Sequence, residues 1–167
     1  MKSKIYTLVL TSLLVLPYFS SAQPSWIWAK GAGGTLYDVA NSTATDAAGN
    51  IYVAGIFESA TITFGTTTLT NSSADTTDLF LVKYDAQGNV LWAKSAGGTN
   101  FDDAASVTVD PSGNILVTGS FSSSSITFGT TTLTNTTTTV DPYDMFIVKY
   151  SASGAVLWAK SAGGYGD

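Results

Sequence analysis

The feature that most constrains this chain is that it repeats itself. The heptad WAKSAGG at Trp92–Gly98 recurs at Trp158–Gly164, and Trp28–Gly34 reads WAKGAGG, so these anchors stand 64 and 66 residues apart. Between them GNIYVAGIF at Gly49–Phe57 returns as GNILVTGSF at Gly113–Phe121, and ITFGTTTLTN at Ile62–Asn71 returns letter for letter at Ile126–Asn135. The segment from Asp78 to Gly98 matches that from Asp144 to Gly164 at 16 of 21 positions. Self-similarity at this period means a stack of like units, each burying its apolar face on a neighbour.

Each unit reads as strands. Val, Ile, Thr, Tyr, Phe and Trp dominate the patterned segments and no helical period appears. The expected strands of the first unit are Asn41–Thr45, Ile51–Phe57, Leu79–Tyr84 and Val90–Lys94; those of the second are Ser106–Val109, Ile115–Phe121, Met145–Tyr150 and Val156–Lys160. The connections DAAGN, DPSGN, DAQGN and SASGA place a turn-former first and Gly fourth, the chemistry of a short hairpin. The third strand is apolar on both sides, with Phe80, Val82 and Tyr84 on one and Leu79 and Leu81 on the other. Such a strand must be covered on both faces. A four-stranded antiparallel sheet stacked between like sheets is a propeller blade. The expected fold is therefore all-β: tandem four-stranded antiparallel β-propeller blades, incomplete, with about two blades and a lone N-terminal strand. The Thr-rich excursions through Thr66–Thr68 and Thr130–Thr132 are expected to form an extra hairpin between strands two and three. Their polar continuations, Asn71–Thr77 and Asn135–Thr139, read as exposed loops.

The chain opens with Lys2 and Lys4, an apolar run from Ile5 to Leu16, Pro17, and the small residues Ser20, Ser21 and Ala22. That order is a secretory signal peptide, and its apolar run is too short to span a bilayer. Residues 1–22 are thus expected to be removed, leaving residues 23–167 as a repeat region with no membrane span: a lone fourth strand within 26–31 (Ile27–Lys30), repeat one at 35–98, repeat two at 99–164 and the start of a third unit at 165–167. This predicts an exported, extracytoplasmic protein, secreted or at the cell surface. Of seven lysines, two leave with the signal, so five stand against twelve acids with no arginine, a net charge of −7. Such a surface repels phosphate backbones and argues against nucleic acid as a partner. Export without a single cysteine suits a bacterial protein held by packing and backbone hydrogen bonds.

The Gly-Gly of WAKSAGG, the Asp that follows it (Asp38, Asp102), the Asp-x-x-Gly-Asn turn, the strand carrying Gly55 or Gly119, and the DLFLVKY and DMFIVKY strands together resemble the bacterial β-propeller repeat family labelled SBBP, for seven-bladed β-propeller. The similarity covers essentially the whole mature chain. It implies a secreted or surface propeller without an assigned activity. In closed propellers an N-terminal strand of this kind often completes the last blade. Two blades do not close a ring, so the chain is expected to be the N-terminal piece of a longer protein, or else to close by self-association.

Without His or Cys, Ser-His-Asp and Cys-His catalysis and the usual zinc sites are excluded. The lone Glu, Glu58, has Ser122 as its counterpart, so no paired-carboxylate glycosidase site is visible. Asp102 and Asp103 could be drawn as a calcium pair, but a calcium loop needs more oxygen ligands. Framework roles are expected instead: Asp46 and Asp110 as turn caps, and Asp38 and Asp102 as ties between successive blades, bonded to free amides or to a lysine such as Lys94. Lys30, Lys83, Lys94, Lys149 and Lys160 all follow the repeat, as do Trp28, Trp92 and Trp158, which are expected to pack between blades. Trp26 lies outside the pattern. Asn41, Asn71 and Asn135 open Asn-x-Ser/Thr sequons and Asp75-Thr76-Thr77 resembles an O-glycosylation acceptor, matches expected by accident in so Thr-rich a chain. No catalytic, cofactor-binding or metal residue is assigned. The expected function is a non-catalytic scaffold or interaction module whose partner is a protein or glycan; the alternative is a carbohydrate-binding or carbohydrate-processing propeller whose site lies in blades outside this sequence.

Overall fold

The computed structural model describes residues 27–136 and 143–164. The expected signal sequence at 1–22, Trp26, residues 137–142 of the second Thr-rich stretch and the expected start of a third unit at 165–167 lie outside the described residues. Twelve strands follow in order: β1 (Asp38–Thr45), β2 (Ile51–Phe57), β3 (Thr61–Phe64), β4 (Thr67–Thr70), β5 (Asp78–Tyr84), β6 (Val90–Ala96), then β7 (Asp102–Val109), β8 (Ile115–Phe121), β9 (Ser125–Phe128), β10 (Thr131–Thr134), β11 (Asp144–Tyr150) and β12 (Val156–Ala162). They build two four-stranded antiparallel sheets, β1-β2-β5-β6 and β7-β8-β11-β12, each with a separate two-stranded hairpin, β3-β4 or β9-β10. The protein is all-β, an open pair of propeller blades, as the repeat predicts.

The hairpin turns form for the reason their sequences suggest. Asp46 Oδ1 accepts from the amides of Ala48 and Asn50, and the Gly49 amide donates to the Asp46 carbonyl with Gly49 at φ +81°. The DPSGN turn repeats this, with Gly113 at φ +79°. A residue with a side chain rarely adopts that backbone conformation, which is why the fourth turn position is Gly.

The two sheets pack face to face through one apolar core. Tyr52, Ala54, Leu79, Leu81 and Ala96 of the first blade meet Ala104, Val107, Val117, Ile126, Phe128, Phe146, Val148 and Tyr150 of the second. Strands β1 and β7 approach each other at the inner edge. At the outer edge the β9-β10 hairpin sits between β6 of the first blade and β12 of its own. The Thr-rich insertion therefore fills the wedge that opens where two blades splay. Phe128 packs on Phe146, and Phe64 on Phe80, each with ring centroids 5.0 Å apart.

Several expectations need correction. Strands one and four are longer than their apolar patterns indicate, because β1 and β7 already pair from Asp38 and Asp102, and β6 and β12 stay paired as far as Ala96 and Ala162. Residues 27–31 form no strand, and among the described residues no strand pairs with them. The stretch Asn71–Thr77 is not simply an exposed loop: the Asn71 amide donates to the carbonyls of Phe57, Glu58 and Thr76, and Thr77 is buried. Asn135 makes the same anchoring bond to Phe121, at 3.1 Å. Both faces of β5 are covered, but β11 is covered on one face alone; Met145 on the other is 56% exposed.

Candidate functional site

The Gly-Gly-x-x-x-Asp motif closes each blade on its own second strand. Asp102 is fully buried; its carboxylate accepts from Ser123 Oγ at 2.7 Å and from the Ser123 amide at 3.3 Å, with a further bond from the Gly98 amide. Asp38 repeats the arrangement with Ser59 Oγ at 2.7 Å and the Gly34 amide at 2.6 Å. Of the two kinds of donor expected, free amides or a lysine such as Lys94, the structure shows amides, joined by Ser hydroxyls. A backbone bond adds to the tie between blades, as the Asp102 amide donates to the Thr77 carbonyl at 2.8 Å. Burial, with a smaller contribution from the Asp78 carboxylate, pushes the Asp102 acid up to about 6.

Asp78 and Asp144 open the third strand of each blade against the first glycine of the pair. A methyl group on Gly97 or Gly163 would overlap these carboxylates, so only Gly admits the approach. Asp78 Oδ2 accepts from the amide and hydroxyl of Ser72 at 2.9 and 2.8 Å, and Asp144 Oδ2 from those of Thr136. Asp78 Oδ1 is buried without a hydrogen-bond partner, and burial raises the acid's pKa.

Asp102 and Asp103, adjacent in β7, point to opposite faces as strand geometry requires. Asp103 Oδ1 accepts from Asn41 across the blade junction at 2.9 Å, while Asp102 turns toward Ser123. They do not form a calcium pair, and among the described residues no three His, Cys, Asp or Glu side chains gather in a metal-binding group. Asp46 and Asp110 cap their turns, as expected. Lys149 pairs with Asp110 at 2.7 Å, which with the Asn114 amide holds that acid below the usual carboxylate range. In the first blade Tyr52 replaces Leu116 and its hydroxyl takes Asp46 at 3.1 Å. Lys83 then reaches over the Tyr52 ring to the Ala152 carbonyl of the next blade at 3.2 Å. Nothing in the repeat pattern flagged this exchange except the Tyr52/Leu116 difference itself.

The sequon asparagines are engaged in the fold. The amide nitrogens of Asn41, Asn71 and Asn135 all donate to neighbouring carbonyls. Of the repeat tryptophans, Trp92 donates from Nε1 to the Ala152 carbonyl of the second blade at 3.3 Å, and Trp28 to the Ala86 carbonyl of the first at 3.1 Å. Trp158 is 38% exposed. Beside Trp28 runs a groove of about 260 Å³ along the outer face of the first blade, lined by Val39, Val53, Ile62, Phe64, Phe80 and Tyr84 among others.

No family model matches the chain, so the resemblance to the SBBP family rests on its motifs alone. Over 131 residues, 75% of this chain, it is 32% identical to an uncharacterized WD repeat-containing protein, L264, of Acanthamoeba polyphaga mimivirus. The chain spans 9% of that relative's length. WD repeats are propeller blades of four strands. Two stacked four-stranded sheets and this likeness agree that the chain is built of β-propeller-type repeats.

Proposed function

We propose that this chain is a non-catalytic, exported β-propeller scaffold, whose interactions are made by blade faces and loops and whose ring is completed by further blades, in a longer chain or by self-association. The observation that carries the reading is the assignment of side chains. The motif Asp residues spend their oxygens on Ser hydroxyls and backbone amides, the turn Asp residues on turns, and the repeat-locked Trp92 and Lys83 on the next blade. What the framework leaves over is exposed apolar surface at the second blade's end of the pair, where Met145 lies, and at the other end a groove walled by buried apolar side chains, Phe80 among them. Export is supported by the Lys2-to-Ala22 pattern.

A glycan array and a panel of chromogenic glycosides, run on the protein with its full set of blades, test this reading. Neither retention nor hydrolysis is expected. Turnover of any glycoside, or retention on a defined glycan, would replace the scaffold with the carbohydrate-directed alternative.

A further inference from the structure

We propose that the groove on the outer face of the first blade docks the open face of the second blade of another copy of this chain, head to tail, and that residues 27–32 lie in it as an internal stand-in for that partner. The proposal rests on the scaffold reading and names its partner.

The existing blade interface is the template. Within the chain, the face bearing Tyr52, Leu79, Leu81 and Trp92 seats on the face bearing Phe146, Val148, Tyr150, Ile126 and Phe128. The first blade carries the same receiving face in Phe80, Val82, Tyr84, Ile62 and Phe64, all buried, and all but Val82 line the groove beside residues 28–32. The second blade carries the same inserting face in Leu116, Met145, Ile147 and Trp158, and there it is open. Receiving and inserting faces thus stand at opposite ends of one chain, which gives a heterologous contact rather than a twofold one.

The polar positions agree. Ser42 Oγ accepts from the Val107 amide across the junction, and Ser106 holds the place of Ser42. The Asn41–Asp103 bond has no polar counterpart in the copied contact; the corresponding residues are Ala105 and Val39, small and apolar on both sides.

Residues 27–32 already imitate the incoming fourth strand. Trp28-Ala29-Lys30 repeats Trp158-Ala159-Lys160, and its indole answers the Ala86 carbonyl as Trp92 answers that of Ala152. The Trp28 ring lies against Gly88 as the Trp92 ring lies against Gly154, and it meets Tyr84 with centroids 6.1 Å apart. Trp158 of a second copy would need the space against Gly88 that the Trp28 ring already fills, so the segment competes with docking.

The test is sedimentation of the purified chain over a concentration series, with cross-linking of single-cysteine variants of this cysteine-free protein. Reversible association is expected. Trp28→Ala should tighten it about tenfold by removing the competitor, and Met145→Asp should weaken it by at least about tenfold. Mixing Val39→Cys with Ala105→Cys chains should give a disulfide-linked pair that neither gives alone. Circular dichroism melts confirm that each variant is folded. The proposal fails if Trp28→Ala remains monomeric throughout, if Met145→Asp associates as the parent does, or if Ala105→Cys cross-links to itself. Glycoside hydrolysis by the same preparation would instead remove the scaffold reading and leave the association data standing.

Discussion

Ser123 Oγ donates to Asp102 Oδ2 at 2.7 Å, with both residues buried and 21 positions apart in the chain. The bond crosses from the first strand of the blade to the residues just past the second. It fixes where the chain leaving the preceding blade enters this one, and Asp38 with Ser59 does the same where the chain enters the first blade.

Replacing Asp102 by Ala leaves the Ser123 hydroxyl and the amides of Ser123 and Gly98 without their acceptor in a buried site. An unsatisfied buried donor costs about 1–3 kcal/mol. Asp102→Ala should therefore lower the melting temperature by several degrees in calorimetry. Added calcium should not alter the difference; a calcium-dependent stabilisation lost in the variant would make the site a ligand site.

The same carboxyl has a pH signature. Its folded-state pKa, about 6, lies above the ordinary carboxylate value of 3.8, so the native state holds this proton more tightly than the unfolded chain. Between about pH 4 and 6 its contribution to stability falls as pH rises, and above pH 6 it is an unfavourable buried charge. Asp78 and Asp103 shift in the same direction through burial. Asp46, Asp85 and Asp110 are lowered instead, and their contribution is lost as pH falls below the ordinary carboxylate range. Melts of Asp102→Asn between pH 4 and 7 should show a flatter falling limb than the parent. Identical limbs would mean that Asp102 does not titrate there.

Much of this fold is legible in the sequence, because its causes are local. Gly49 and Gly113 sit at the fourth position of turns that Asp46 and Asp110 open, and β5 shows its double coverage in the letters Leu79 to Val82. The long-range partners are not legible. Asp102 finds one serine among the four at Ser122–Ser125, and composition offers no way to choose Ser123. The double coverage read for β5 does not hold for β11, because coverage belongs to the neighbour and not to the strand. Lys83 and Lys149 occupy one repeat position and bond differently, since Tyr52 takes the carboxylate that Leu116 leaves to the lysine.

Gly97 should not tolerate a methyl group. Its added Cβ would overlap the Asp78 carboxylate, which is itself fixed by Ser72, and easing such an overlap costs about 1–3 kcal/mol. Gly31 has open space around the same position and serves as the control. Chemical denaturation should show Gly97→Ala shifted to lower denaturant and Gly31→Ala unmoved; equal midpoints would contradict the close approach.

Ser20 and Ala22, at small-residue positions after the apolar run, predict removal of the first 22 residues. Intact-mass analysis of exported material should give a chain that starts at Gln23. Secreted protein that keeps Met1 would exclude cleavage there.

The repeat supplies its own controlled comparison in Leu79 and Met145, which occupy one position in the two blades. Leu79 is buried against the second blade, whereas Met145 is 56% exposed. Truncating a buried leucine removes its transfer free energy and leaves a cavity, together about 2–5 kcal/mol. Truncating an exposed methionine removes little, since surface substitutions mostly stay within about 0.5 kcal/mol. Leu79→Ala should thus destabilise the chain by several kcal/mol and Met145→Ala hardly at all, measured by urea denaturation at a concentration low enough to keep the chain dissociated. At high concentration the two should converge if the Met145 face becomes an interface. A large loss from Met145→Ala in the dilute chain would show that this face is already covered, and the blade order given above would have to be redrawn.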